Sequence, residues 1–167
     1  TPRTISRERA LVMVNQGFVM EDPDVDAVTR LSWPLRAVKL HPAYGQLFAL
    51  APGTWCPFDI DNVALARDIV PLYFLVPFLE RNNDIWASYL LTRVLEHRGE
   101  VVSFGHPLVK QFRNHHNLWR DLEAEALNNQ ATDAFVELVR STPLSAGTHL
   151  QLLGELLEVT LARLNGL

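Results

Sequence analysis

The sequence predicts a helix-dominated α+β domain with one small mixed sheet, on three observations. Apolar residues recur at three- and four-residue steps through most of the second half, as in Asp84 to His97 and again towards Leu164. Short apolar runs punctuated by glycine and proline fall between residues 37 and 66 and again over 101–112, where they read as strands. The chain has 167 residues, 48% of them apolar and 20% charged, which is enough to build a genuine core.

In order along the chain, Ser6–Gln16 reads as a helix, with Ser6 as N-cap, Ala10, Leu11, Met13 and Val14 on one face, and Gly17 ending it. Phe18–Met20 is a short extended piece. Pro23 blocks any helix before it, and Asp22 or Asp24 caps a short turn through Leu31. Glu21, Asp22, Asp24 and Asp26 repel one another unless donors or a cation sit among them. A solvated, capped turn and a cation-holding turn both satisfy that requirement.

Ala37–Leu40 and Leu47–Leu50 are strand candidates around His41, Pro42 and Gly45, and Pro52 with Gly53 turns the chain into its most unusual stretch, Gly53–Trp86. There Phe58, Ile60, Val63 and Leu65 call for burial, while Asp59, Asp61 and Asn62 beside them cannot be buried without partners. Asn62–Ala66 reads as a buried strand. Arg67 and Asp68 open a helix that takes Pro71 in its first turn. Asn82 or Asn83 caps a largely buried helix, Asp84–His97, stopped by Gly99.

Val101–Phe104 and Leu108–Phe112 read as two strands separated by Gly105 and Pro107. Three helices complete the chain: Leu118–Leu127, Thr132–Arg140 and Ser145–Leu164. In the last, Leu150, Leu153, Leu157, Leu161 and Leu164 share a face that is either structural or a docking surface for a partner or a second copy.

The net charge of −4 gives no reason to expect a nucleic acid, whose phosphates call for excess Lys and Arg. A lone Cys56 excludes an internal disulfide framework and a cysteine-based zinc site. The longest apolar run, Ile69–Leu79, is interrupted by Pro71 and Pro77 and falls short of the ~18 residues of a membrane span. The chain opens on Thr1 without a leader pattern, as a trimmed chain would. A cytoplasmic setting is expected, with the Golgi lumen as the alternative.

Several constellations are able to carry chemistry. Asp22 with Asp24, Asp24 with Asp26, and Asp59 with Asp61 are Asp-x-Asp pairs, whose hard oxygens suit a divalent cation and, through it, a diphosphate. Asp84 stands just inside a helix N-terminus, where the free amides favour its ionised form; helix-end stabilisation and catalysis both fit that position. Trp86 offers a flat face for a sugar or base, or for the core. His115 and His116 are neighbours that cannot both point the same way, so one of them is a candidate metal ligand. The His-Glu-x-x-His, Gly-x-Ser-x-Gly and phosphate-loop patterns are absent.

Four blocks in order, Gly17–Leu31, Gly53–Asp68, Asn83–Ser88 and Arg113–Asp121, resemble the C-terminal half of GT-A-type glycosyltransferase-like proteins of the STELLO group. More distantly, they resemble the reversibly glycosylated polypeptides, which are UDP-arabinopyranose mutases. The resemblance implies nucleotide-sugar-dependent glycosyl transfer or sugar rearrangement, with residues 1–127 as the acceptor-side region and 128–167 as a helical extension packed on it. It implies Asp84 as the catalytic carboxylate, acting as general base or orienting an acceptor hydroxyl. Asp24, Asp26, Asp61, Asn62, Trp86 and Arg113 would contact substrate, with Arg113 compensating phosphate charge. His115 or His116 would complete the shell of a Mn²⁺ or Mg²⁺ ion or touch the diphosphate. The implied partners are a nucleotide-sugar donor and a glycan or protein acceptor. The alternative is a non-catalytic binding or regulatory domain that keeps the scaffold and docks a partner through its C-terminal helices.

Overall fold

The computed structural model describes residues 9–75 and 81–164; Ser6, and the part of the apolar run after Leu75, lie outside the described residues. A long strand, β1 (Leu11–Glu21), is followed by a short helix, α1 (Ala27–Ser32). Next come β2 (Phe48–Ala49), β3 (Val63–Leu65) and a 3₁₀ turn over Arg67–Leu72. The chain then forms α2 (Asn83–His97), β4 (Glu100–Gln111), α3 (Leu118–Ser141) and α4 (His149–Leu164). The α+β class and the dominance of helix agree with the sequence. The sheet is mixed: its order is β2-β4-β1-β3, with β1 parallel to β4 and the two edge pairings antiparallel.

Residues 11–16 form a strand rather than the end of a helix. Leu-Val-Met-Val is a poor helix former because β-branched valine is stiff at χ1, and pairing with β4 along its whole length outweighs the helical spacing. Gly17 is not a helix stop; it sits inside β1 beside a register shift, paired with Gly105. The two strands expected around Gly105 are one, β4. Gly105 has φ +135°, and a Cβ there would lie 3.2 Å from the Gln46 carbonyl, so the strand passes this kink only because the residue is glycine.

α2 runs as expected and ends at Gly99, whose φ of +70° is the left-handed turn that closes the helix. Its start differs: Asn82 is at the N-cap with φ +62°, yet its side chain makes no capping bond. The core lies where α2, α3 and α4 meet the sheet, with Val14, Leu91, Val94, Val139, Leu152 and Leu156 at or near zero exposure. β3 is a half-buried edge strand on β1 rather than a buried one.

The helices expected at 118–127 and 132–140 are one helix. Two polar residues of the run between them are satisfied: the buried Asn128 side chain donates to the Arg81 carbonyl at 2.5 Å, and the half-buried Thr132 hydroxyl to the Asn128 carbonyl at 2.7 Å. Satisfied in this way, asparagine and threonine continue a helix. α3 therefore passes without interruption through residues 127 and 128.

α4 begins at His149, later than expected, because Thr148 and Gln151 form a reciprocal cap: the Gln151 side-chain oxygen accepts the Thr148 amide at 2.9 Å, and the Thr148 hydroxyl accepts the Gln151 amide at 3.3 Å. The buried stripe of α4 is Leu152, Leu153 and Leu156, with Leu157 half-buried against it. Of the expected face, Leu150 and Leu161 point to solvent, at 66% and 56% exposure. Among the described residues no helix is long and apolar enough to cross a membrane.

Candidate functional site

β1 and β4 end together, Glu21 pairing with Gln111. In open sheets, ligands bind in the crevice beyond the carboxyl ends of parallel strands, and the two loops that leave this pair carry most of the residues singled out above. Polar contacts lace the loops together. The Asp22 amide donates to the Gln111 carbonyl at 3.2 Å, and the Asp22 carboxylate accepts from the Arg113 amide at 3.3 Å and from Arg30 Nη1 at 2.7 Å. The Arg113 guanidinium forms an ion pair with Asp24. The Arg30 bond is the main reason that the Asp22 carboxyl is held below its ordinary pKa.

Asp59 and Asp61 reach the same place from the turn before β3. Asp59 Oδ1 accepts the Gln16 side-chain amide at 3.0 Å and the Asp61 backbone amide at 2.9 Å, which fixes the turn. The Asp61 residue stands at the exposed rim, but its carboxyl is partly withdrawn from water and faces Asp59 and Asp24. Its pKa is raised by that desolvation and by the two like charges, against the opposing pull of a Gln111 hydrogen bond and Arg113.

Asp84 completes the group from the first turn of α2. It is half-buried, and its carboxylate accepts the Ile85 amide at 2.9 Å. Burial raises its pKa; the amides of Ile85 and Ile60 act the other way, and the Asp24 charge raises it further. Tyr73, whose hydroxyl donates to the Asp84 carbonyl at 3.4 Å, has its own pKa pushed up by burial and by Asp84 and Asp59. Asp24, Asp59, Asp61 and Asp84 thus form one electrostatic group, with Arg113 as the cation among them. Within it Asp61 and Asp84, whose proton affinity is raised, are suited to accepting a proton from a hydroxyl or to binding a polyol.

Of the residues expected at a site, Asp24, Asp61, Asp84 and Arg113 come together. Asn62 lies alongside, its side chain donating to the Phe18 carbonyl at 3.1 Å. Asp26 is committed elsewhere. It, rather than Asp22 or Asp24, is the N-cap of α1, accepting the Thr29 amide at 2.9 Å and the Thr29 hydroxyl at 2.6 Å. Burial opposes its ionisation, but the two Thr29 bonds hold its pKa below the ordinary value. Trp86 is built into the contact between α2 and α3: its ring stacks on Phe135 at 4.1 Å and 8°, and Nε1 donates to the Thr132 hydroxyl at 3.0 Å.

His115 and His116 are exposed, and His116 Nδ1 lies 3.2 Å from the Asp121 carboxylate. Among the described residues no three His, Cys, Asp or Glu side chains are arranged to hold a metal ion.

Beyond Arg113 opens a cleft of about 640 Å³, lined by Arg30, Arg36, Arg81 and Arg113 with Trp33 and His115. Sequence reasoning passed over Arg30, Arg36, Arg81 and Trp33, together with Gln16, Tyr73 and Gln111 of the acidic group. The local signal is a tryptophan, Trp33, with Arg30 and Arg36 three residues to either side; the rest depends on β1 and β4 being parallel neighbours.

No protein-family model matches the chain. The chain is similar to UDP-arabinopyranose mutase 3 of Arabidopsis thaliana. The two are 28% identical over 109 residues, a stretch that makes up 62% of this chain and 30% of the relative. The chain thus matches less than a third of that protein's length. The likeness is to one of the two groups that the four sequence blocks resemble.

Proposed function

We propose that this chain forms the acceptor-side part of a nucleotide-sugar-dependent, glycosyltransferase-like protein of the GT-A type, catalysing glycosyl transfer or sugar rearrangement. The observation that carries this reading is that Asp24, ion-paired to Arg113 at the carboxyl ends of β1 and β4, lies within the electrostatic reach of both Asp61 and Asp84, which are distant from it in sequence. The similarity to a UDP-sugar mutase supports it.

In this reading Asp84 takes the proton of the reacting hydroxyl or orients it. A carboxylate whose affinity for protons is raised by burial is a better base than one in water. Asp24 and Asp61 receive sugar hydroxyls, and Arg113 faces the negative charge that develops on the leaving diphosphate. Residues 1–127 carry this region and 128–167 buttress it.

The test is a thermal-shift titration with UDP and a panel of UDP-sugars, with and without Mn²⁺. UDP-sugars are expected to raise the Tm beyond UDP alone, and Asp84→Asn to abolish that excess. If no UDP-sugar exceeds UDP, the reading fails.

A further inference from the structure

The cleft shares Arg113 with the acidic group and extends from it past Arg30, Arg36 and Arg81. Four guanidiniums line it against two carboxylates, Asp22 and Asp121, with the imidazoles of His115 and His116 in the same wall. The guanidiniums are held rather than consumed. Arg30 is bonded by Asp22 and by the Pro23 carbonyl, Arg36 by Glu21, Arg81 by Glu125 at 2.9 Å, and Arg113 by Asp24. A guanidinium has five N–H donors, so each keeps some for a ligand while its position is fixed. Arg30 Nε is buried and has no acceptor among the described residues.

Anchored forks of this kind match the oxygens of a phosphate better than flexible ammonium groups do. Beside them Trp33 is 69% exposed, a flat apolar face at the edge of a charged cleft, with Pro34 and Leu35 next to it. A volume of about 640 Å³ is that of a small-molecule site.

The geometry points to this cleft as a binding site for a phosphate-bearing ligand, its phosphate oxygens received by Arg36, Arg81 and Arg113 and its ring or apolar part laid on Trp33. The phosphate chemistry stands without the function proposed above; only the choice of a nucleotide as the ligand rests on that reading. A nucleotide diphosphate and a free or sugar-linked phosphate share this chemistry and are separated by experiment.

Pyrophosphate, UDP and uridine are titrated calorimetrically into the whole chain and into Arg36→Gln and Trp33→Ala. Arg36 and Trp33 are exposed, so their variants keep the fold. Pyrophosphate or UDP is expected to bind, and to weaken about fivefold or more in Arg36→Gln and with added salt. UDP about tenfold tighter than pyrophosphate, with that advantage lost in Trp33→Ala, identifies a nucleotide; equal affinity identifies a free or sugar-linked phosphate, and the site stands in both cases. Failure of both phosphorylated probes, binding indifferent to Arg36→Gln, or uridine binding as tightly as UDP overturns the proposal. Phosphate binding without any gain for UDP-sugars over UDP leaves the cleft intact and overturns the function proposed above.

Discussion

Glu125, wholly buried in the middle of α3, accepts the backbone amide of Ala27 at 2.7 Å and so holds the first turn of α1 from outside. Its other oxygen accepts Arg81 Nε at 2.9 Å. One carboxylate thereby ties α3 both to the start of α1 and to the segment leading into α2, the supports on either side of the candidate site. Glu125→Ala leaves a buried amide and a guanidinium without their acceptor, and is expected to cost about 3–5 kcal/mol. Urea denaturation measures it. Glu125→Gln, which keeps an acceptor oxygen and loses the charge, is expected to lose less.

Asp84 makes stability depend on pH in a defined direction. Its folded pKa lies above its ordinary value because of burial. Between those two values the folded state binds more protons than the unfolded one, so this group's contribution to stability falls as pH rises through the window. Asp84→Asn is therefore expected to raise stability at neutral pH, by under about 1 kcal/mol after allowance for partial exposure, with the gain vanishing below the ordinary carboxylate range. Melting curves across pH 3–8 check the prediction. A variant that is more stable and less active is what a functional carboxylate produces.

Trp86 tests the division between core and site. Phe135→Ala removes the stacking partner of Trp86 and is expected to cost about 3–5 kcal/mol, with a loss of near-ultraviolet circular dichroism. Trp86→Phe is expected to lose stability through the Thr132 bond yet leave ligand affinity within about twofold of wild type. A large change in affinity with unchanged stability would return Trp86 to the binding surface.

Gly105→Ala forces a Cβ into a backbone conformation that L-residues rarely adopt and against the Gln46 carbonyl. The expected cost is about 1–3 kcal/mol, read as a lower denaturation midpoint. Because β2 pairs with β4 at Ser103 and Phe104, the loss is expected to appear first as faster amide exchange in β2.

How much was legible in the sequence follows the range of the forces involved. The α2 helix and its glycine stop are local and were read almost to the residue. The Thr148–Gln151 cap is equally local and was overlooked among polar residues. β1 was misread because its apolar residues fit a helical face as well as a strand, and only β4, about ninety residues later, decides between them. Asp24, Asp61, Asp84 and Arg113 were singled out by residue type and by resemblance. That they lie near one another, while Asp26 caps α1 and Trp86 stacks on Phe135, depends on contacts that no local pattern encodes.

The parallel pair at the centre of the sheet also sets the order of events in folding. The Asn15 side chain donates to the His106 carbonyl at 2.6 Å across 91 positions of sequence, so β1 meets its parallel partner only once the chain has doubled back past the residues of α2. Such long-range closure slows folding and leaves the β4-facing edge of β1 unpaired in the meantime. During synthesis the first strand emerges from the ribosome well before the fourth, and the acidic group and the arginine cleft exist only once the two have met.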